Sequence, residues 1–493
     1  MKQIRYWASI LVCGITLWFS LISCAEASDR LPQSNSRHIV ERLSFGVTSE
    51  QMDRVEADGI EAYIQSQLNP QSIQESEIVN DYLAEFNANY QQPLELRKKL
   101  VVNNKKIANG EQSSQQSRKL QQENSKLKQN TKDEATQLRL ARSIYSSRQL
   151  QEVMVDFWLN HFNVFANKGA ASFWLNDYEN GLRANALGNF RDLLSVTATN
   201  PAMLIYLDNE FNTDPKSPGA RGKYNGLNEN YARELMELHT LGVDGGYSQD
   251  DIITLAKIFT GWTVAYNGKQ GDKNGFFFNP NRHDRTEKVF LGQTIEAGGI
   301  EQGQKALDIL ASHPATAHFI SYKLAQYFVA DRPPSELVDK LTQSFLDSNG
   351  NIKTVMDTLI HSGEFNSPEY IHQKFKTPYQ YLVSLIRMGE IQQPNLKRVQ
   401  GMLSQLSMPV YMYVAPIGYK NTQDAWLNPQ AILQRIALAT AIANKRLNSD
   451  FPVKYSVVAK NIGELSPHTK KVIANSPRLR TALVFGSPEA MYR

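Results

Sequence analysis

Apolar residues fall at helical spacing in segment after segment of this sequence. Residues 303–311, 314–330, 335–347, 351–361, 375–389, 395–406 and 428–447 each repeat them about three and four positions apart, which lays an apolar stripe along one side of an α-helix. Residues 49–57 and 61–68 share the pattern. Thr48 is placed to cap the first, Asp58-Gly59 to break it and Asn69-Pro70 to stop the second. Residues 150–165 form a strongly apolar, aromatic helix (Val153, Met154, Val155, Phe157, Trp158, Leu159, Phe162), and helical spacing continues over 173–207. Such a chain folds as a predominantly all-α protein. Strand-like pieces are confined to Phe276-Phe-Phe-Asn-Pro280, Val289-Phe-Leu291 and Thr294-Ile295. The predicted architecture is therefore a large multi-helix domain with a small β-containing insertion near 264–296. No repeat of 30–45 residues stands out, although helix pairs in 303–390 allow solenoid-like packing.

The remaining segments differ in kind. Residues 96–150 are polar with sparse leucines, of which Leu120 and Leu127 are seven apart; this predicts a solvated helical arm or an insertion. Residues 208–228 hold Asn, Asp, Pro, Lys, Gly and Arg with few apolar residues, the composition of an unusually long loop. Asp347-Ser-Asn-Gly-Asn-Ile352 resembles the start of a calcium loop but lacks its distal acid, so a helix-connecting turn is expected. The organisation predicted along the chain is a signal at 1–24, N-terminal helices over 36–95, the arm over 96–150, a helical core over 151–445 and a mixed tail over 446–493.

Lys2 and Arg5 precede an apolar run at 10–22, a secretory signal too short for a membrane span. Leu21-Ile-Ser-Cys24 matches a lipobox, which would make Cys24 the lipidated first residue; Ala25-Glu-Ala27 fits ordinary signal cleavage instead. Either way the expected location is outside the cytoplasm, in the cell envelope or secreted. Cys13 and Cys24 are the only cysteines, so the mature chain has no disulfide and no cysteine-based zinc site. The net charge of +4 over 493 residues, with basic residues dispersed, gives no electrostatic case for nucleic acid. No later segment is apolar enough to cross a bilayer. A Gly-x-Ser-x-Gly elbow, a Walker loop and a dinucleotide fingerprint are all missing from the sequence.

Three blocks concentrate polar chemistry. Asp156, Asn160, His161 and Asn163 lie at the end of the aromatic helix, where His161 and the amides could line a pocket mouth or satisfy the last carbonyls. Glu229-Asn-Tyr-Ala-Arg-Glu-Leu-Met-Glu-Leu-His-Thr-Leu-Gly242 carries Arg233, Glu234, Glu237 and His239. Glu234 and Glu237, three apart, share a helix face, and paired carboxylates near a histidine can bind a divalent cation or do acid–base work. Arg233 and Glu237 can equally be an ion pair. Arg282-His-Asp-Arg285 sits on a loop between the strand-like pieces; His283 beside Asp284 suits a general base and its orienter, and the flanking arginines suit an anionic substrate. If the blocks converge, Glu234, Glu237, His239 and His161 offer nitrogen and oxygen ligands suited to zinc, manganese or iron.

Eight blocks in order carry a family resemblance: Arg42-Leu-Ser-Phe-Gly46, Met154-Val-Asp-Phe-Trp-Leu-Asn-His-Phe-Asn-Val164, Leu187-Gly-Asn-Phe-Arg-Asp-Leu-Leu194, Asn200-Pro-Ala-Met-Leu-Ile-Tyr-Leu-Asp-Asn209, the block from Asn228 to Gly242, Thr260-Gly-Trp262, Arg282-His-Asp284 and His313-Pro-Ala-Thr-Ala317. Over about residues 36–445 the chain resembles the bacterial DUF1800 family. The resemblance implies export. It also implies a DUF1501-like partner, because the two kinds of gene often sit together and DUF1501 proteins resemble alkaline-phosphatase or sulfatase-like hydrolases. Ser407-Met408-Pro409 stands where family members often read Gly-Gln-Pro.

The leading expectation is a metal-assisted hydrolase of an extracellular polymer or ester. The carboxylate/His cluster would hold the ion, with His283, Asp284, Arg282 and His161 as catalytic residues. The alternative is a non-catalytic binding or scaffolding protein beside a DUF1501-like partner, with the polar clusters as structural glue. Geometry separates them: an enzyme needs the blocks around one reachable pocket, whereas a scaffold leaves them scattered or buried and paired.

Overall fold

Side-chain caps decide where many of the helices begin. Thr48 accepts from the Gln51 N–H at the start of Ser49–Asp58 and Gln51 returns the bond, a reciprocal box that satisfies two orphan donors. Ser113 with Gln116, Ser248 with Asp251 and Thr377 with Gln380 open Ser114–Tyr145, Gln249–Ile258 and Pro378–Met388 in the same way. Asn200-Pro201 and Asn428-Pro429 start Pro201–Tyr206 and Pro429–Ala443, with proline where its missing N–H costs nothing. The computed structural model describes residues 33–109, 113–265, 271–447 and 453–493; the signal segment and Cys24 lie outside them.

The described residues are predominantly helical, and their strands form two antiparallel pairs, Trp262–Val264 with Phe276–Phe278 and Lys288–Phe290 with Gln293–Ile295. The Trp262–Val264 strand has no counterpart in the sequence reading. Its three residues are all buried, and Trp262 packs edge-on against Phe276 at 5.3 Å, so tertiary pairing makes it a strand. Residues 173–207 are likewise not one helical stretch. They break into Ala171–Trp174, Leu175–Asn185, Phe190–Thr199 and Pro201–Tyr206, turning where the Gly188 carbonyl accepts from Ile352 at 2.9 Å.

The Gln149–His161 helix is buried on almost every side. It packs on Ile60–Leu68, on Ser114–Tyr145 and on Leu175–Asn185, as an apolar-all-round helix must. Ser114–Tyr145 changes character along its length. Its first half is mostly exposed and pairs with Pro93–Ala108, while from Ala135 to Ile144 it is buried. One core cluster runs from Ile39 to Met491. The tail joins it: Tyr455–Ile462, Pro467–Asn475 and Arg480–Phe485 are helices, and Arg493 exchanges backbone hydrogen bonds with Lys374 at 2.9 and 3.2 Å. No helix among the described residues is long and apolar enough to cross a membrane.

Candidate functional site

Asp156 sits on the buried helix with Asn160 one turn later and Asn163 just past its end, and all three line one cavity of about 50 Å³. Asp156 accepts from Arg139 at 2.5 Å and from the Tyr327 hydroxyl at 2.8 Å. Arg139 also donates to the Tyr379 hydroxyl at 3.3 Å and lies 4.8 Å over that ring. Burial works against the Arg139 charge, but Tyr379, Asp156 and Glu179 outweigh it and hold the guanidinium above its ordinary value. A second buried set adjoins it. Glu179 accepts from Arg183 at 2.5 Å and from the Tyr411 hydroxyl, and Arg183 clasps Glu152 through two bonds of 2.8 and 2.9 Å. Burial would raise the Glu179 carboxyl; Arg183, Arg139 and Arg142 overcome this and lower it.

The loop between Gln405 and Gln423 closes the cavity, and the two asparagines hold it. Asn160 pairs with the backbone of Tyr419 in both directions, each bond 2.7 Å. Asn163 donates to the carbonyls of Tyr413 and Ala415 at 3.0 and 2.8 Å, and Tyr206 donates to Val414 at 2.7 Å. Gly418 is required: its φ is +73°, and a Cβ there would lie 2.2 Å from the Asn160 carbonyl. The Asn421 side-chain oxygen is buried at the cavity without a partner. A cavity of this size holds one or two waters rather than a drug-sized ligand.

His161 does not join this cavity. Its Nε2 donates to the His239 carbonyl at 3.1 Å, its ring stacks on Phe157 at 6.1 Å, and Nδ1 has no partner. His239 is fully buried 6.0 Å from the His161 ring, with neither ring nitrogen bonded. Burial, assisted by the Lys323 charge, lowers His239 to about 3 and His161 well below the ordinary histidine value. Burial lowers Lys323 itself to about 8.

The block around Glu234 is not one α-helix. Asn230–Glu234 is α-helical, but Leu235–Thr240 is a π-turn in which the Leu241 N–H donates to the Met236 carbonyl at 2.9 Å, and the Thr240 hydroxyl donates to the Leu235 carbonyl at 2.7 Å. The wider turn places His239 in the core while Glu234 and Glu237 stay part-exposed. Arg233 pairs with Glu229 at 3.1 Å and Glu237 at 3.3 Å. Burial first, and then the Glu237 charge, raises the Glu234 carboxyl.

His283 and Asp284 belong to a third, separate network. The His283 Nδ1 donates to the Thr260 carbonyl at 2.9 Å, not to Asp284, so the pair is not arranged as base and orienter. Asp284 instead accepts from the Thr286 hydroxyl at 2.6 Å and from Lys288 at 3.4 Å. These bonds outweigh the burial that would raise it, and its carboxyl is lowered. Burial lowers His283. Arg282 donates to the Glu210 carbonyl at 3.0 Å and lies 4.5 Å over the Tyr224 ring. Among the described residues no three His, Cys, Asp or Glu side chains group to hold a metal ion; the expected set Glu234, Glu237, His239 and His161 is divided between a surface network and the core.

Sequence reasoning missed Arg139, Tyr327, Tyr379, Tyr411 and Glu179. Arg139 was hidden in the polar stretch, although the apolar Leu138, Leu140, Ala141 and Ile144 around it carried the signal of a buried segment. No curated protein and no solved structure matches the chain. The family model described as "Protein of unknown function (DUF1800)" matches residues 38–492, through the C-terminal helices and beyond residue 445, to which the resemblance in the sequence extends, and the chain belongs to that family.

Proposed function

We propose that this is an exported envelope protein that works by binding, docking a DUF1501-like partner on the loop held by Asn160 and Asn163. The observation that supports this is a firmly held loop presenting apolar side chains to solvent. Val414 is 66% exposed and Ile417 52% exposed, while the backbone beside each is tied to the buried helix through Asn163 and through Asn160 with Tyr419. Anchors whose backbone is already ordered lose little entropy on association. In this reading the buried polar sets are structural, and Cys24 carries a lipid that keeps the protein at the envelope.

Titration of the purified protein against a DUF1501-like protein from the same source tests the proposal. The wild type and the Glu237→Gln and His283→Ala variants should bind alike, and Val414→Asp with Ile417→Asp should weaken binding at least about tenfold, roughly 1.4 kcal/mol. No binding by the wild type, or undiminished binding by the double variant, rules the reading out.

One observation favours a second reading, metal-assisted hydrolysis at Glu234 and Glu237. Glu234 and Glu237 lie three apart and part-exposed, Glu237 pairs with Arg233 at 3.3 Å, and burial with the Glu237 charge raises the Glu234 carboxyl, so two carboxylates stand together at the surface. An ion there (zinc, manganese or iron) would have two carboxylates and would take its other ligands from water or substrate. Metal content by mass spectrometry decides it: stoichiometric metal lost in Glu237→Gln supports the site, and a metal-free, folded wild type removes it.

A further inference from the structure

We infer that the C-terminal helices form a docking surface for an anionic lipid bilayer. Residues 429–493 hold ten Lys and Arg against three Asp and Glu, a net +7 in a chain whose total is +4, so the rest of the molecule is slightly acidic. Arg435 and Arg493 are buried, while Lys445, Arg446, Lys454, Lys460, Lys470, Lys471, Arg478 and Arg480 are exposed. Lys460 pairs with Asp53, and the other seven form no ion pair among the described residues. Among the described residues, five of the twelve exposed large hydrophobics lie between residues 427 and 479, in about a tenth of the chain. On Pro429–Ala443 the buried side is Arg435, Leu438, Ala439 and Ile442. Leu433, 68% exposed, and Ile436, 44% exposed, stand outward with Ala437 at the i, i+3, i+4 positions of one face. That helix packs on Arg480–Phe485, which packs on Pro467–Asn475, the carrier of Lys470, Lys471 and the exposed Val472.

Apolar side chains set singly among lysines and arginines are the composition of an interfacial helix surface. The apolar groups enter the headgroup region while the basic ones meet anionic lipid. An apolar protein partner would not require the charge excess, and a nucleic acid would not require the exposed leucines. The path of the chain supports the same occupant. Arg37 donates to the carbonyls of Asn461 and Lys460 at 2.6 and 2.9 Å, so the first described helix starts beside this unit. Cys24 is nine residues before Gln33, at most ~30 Å of extended chain. A lipid on Cys24 would hold a bilayer within reach of these helices; this last argument rests on the envelope reading above, the charge and the apolar face do not.

The test uses the processed, unlipidated chain from Ser28, which contains every described residue, sedimented with vesicles. With about 30% phosphatidylglycerol in phosphatidylcholine it should bind, and on pure phosphatidylcholine or in high salt at least about tenfold less. Leu433→Asp with Ile436→Asp, and separately Lys470→Glu with Lys471→Glu, should each lose the binding while keeping the wild-type melting temperature, since all four side chains are exposed. Equal binding to neutral vesicles, or binding that survives both double variants, overturns the inference, as does a wild type that ignores vesicles, whether it self-associates or stays monomeric. Because the partner reading is probed at Val414 and Ile417, either proposal can fail without the other.

Discussion

A histidine with both ring nitrogens unbonded inside a core is stable only as the neutral ring, and His239 is that residue. Charging it would leave an unpaired cation beside Lys323. Its folded value, about 3, lies below the ordinary 6.5, so the unfolded chain binds the proton first. The stability it contributes is therefore full above pH 6.5 and is lost as pH falls toward about 3. Each pH unit in that window costs about 1.4 kcal/mol, hence roughly 3 kcal/mol near pH 4.5. Denaturant unfolding at a series of pH values should show this slope in the wild type and a shallower one in His239→Leu. Parallel slopes would mean that His239 is solvated or paired in the native protein. His161, lowered in the same way, should retain part of the slope in the variant. The sequence displays His161, His239 and His283 as residue types at suggestive spacings, but not where each ring points. That direction is set by a π-turn and by the Thr260 carbonyl, contacts that local spacing does not encode.

At the scale of elements, much of the helix pattern is legible because capping and apolar period are local. The expected turn at 347–352 is one: Asn351 caps Ile352–Ile360 and Asn349 and Gly350 take positive φ. The cavity was not legible, since Asp156 acquires its meaning from Arg139 and Tyr327, 17 and 171 positions away. Nor was the role of Asn160 and Asn163, whose partners lie some 250 residues on. Replacing both by Ala removes four side chain–backbone bonds, at about 1 kcal/mol each. Hydrogen exchange should then speed up across 409–421 while the buried helix itself keeps its protection. Unchanged exchange in the loop would show that its packing suffices without the amides.

Across the whole molecule, the last residues tie distant parts together. Lys374 and Arg493 pair their backbones, Lys376 donates to Met491 at 2.9 Å, and the Arg493 guanidinium donates to the Tyr327 carbonyl at 2.9 Å and lies 4.8 Å over that ring. Tyr327 is also the hydroxyl donor to Asp156, so the tail abuts the cavity through one tyrosine. The sequence presented 446–493 as a mixed tail because its anchors are backbone bonds and a cation over a ring, neither of which leaves a periodic trace. Removing residues 491–493 deletes these four hydrogen bonds and the two of Tyr492, to the Pro488 carbonyl at 3.2 Å and the Gln423 side chain at 3.0 Å, and uncovers Tyr327, a loss of about 4 kcal/mol or more. Arg493→Ala, which keeps the backbone pairs, should lose about half of that, because the guanidinium bond and its contact with the ring go while the strand-like pairing with Lys374 stays. Thermal melts of the two variants should therefore order as wild type, Arg493→Ala, truncation. If the truncated chain melts with the wild type, residues 491–493 only lie on a body that is stable without them, and the tail and cavity are energetically independent. If the expected order is found, the family's extent to residue 492 has a physical reason: the core is not fully packed until these residues have docked on Tyr327, the hydroxyl donor to Asp156.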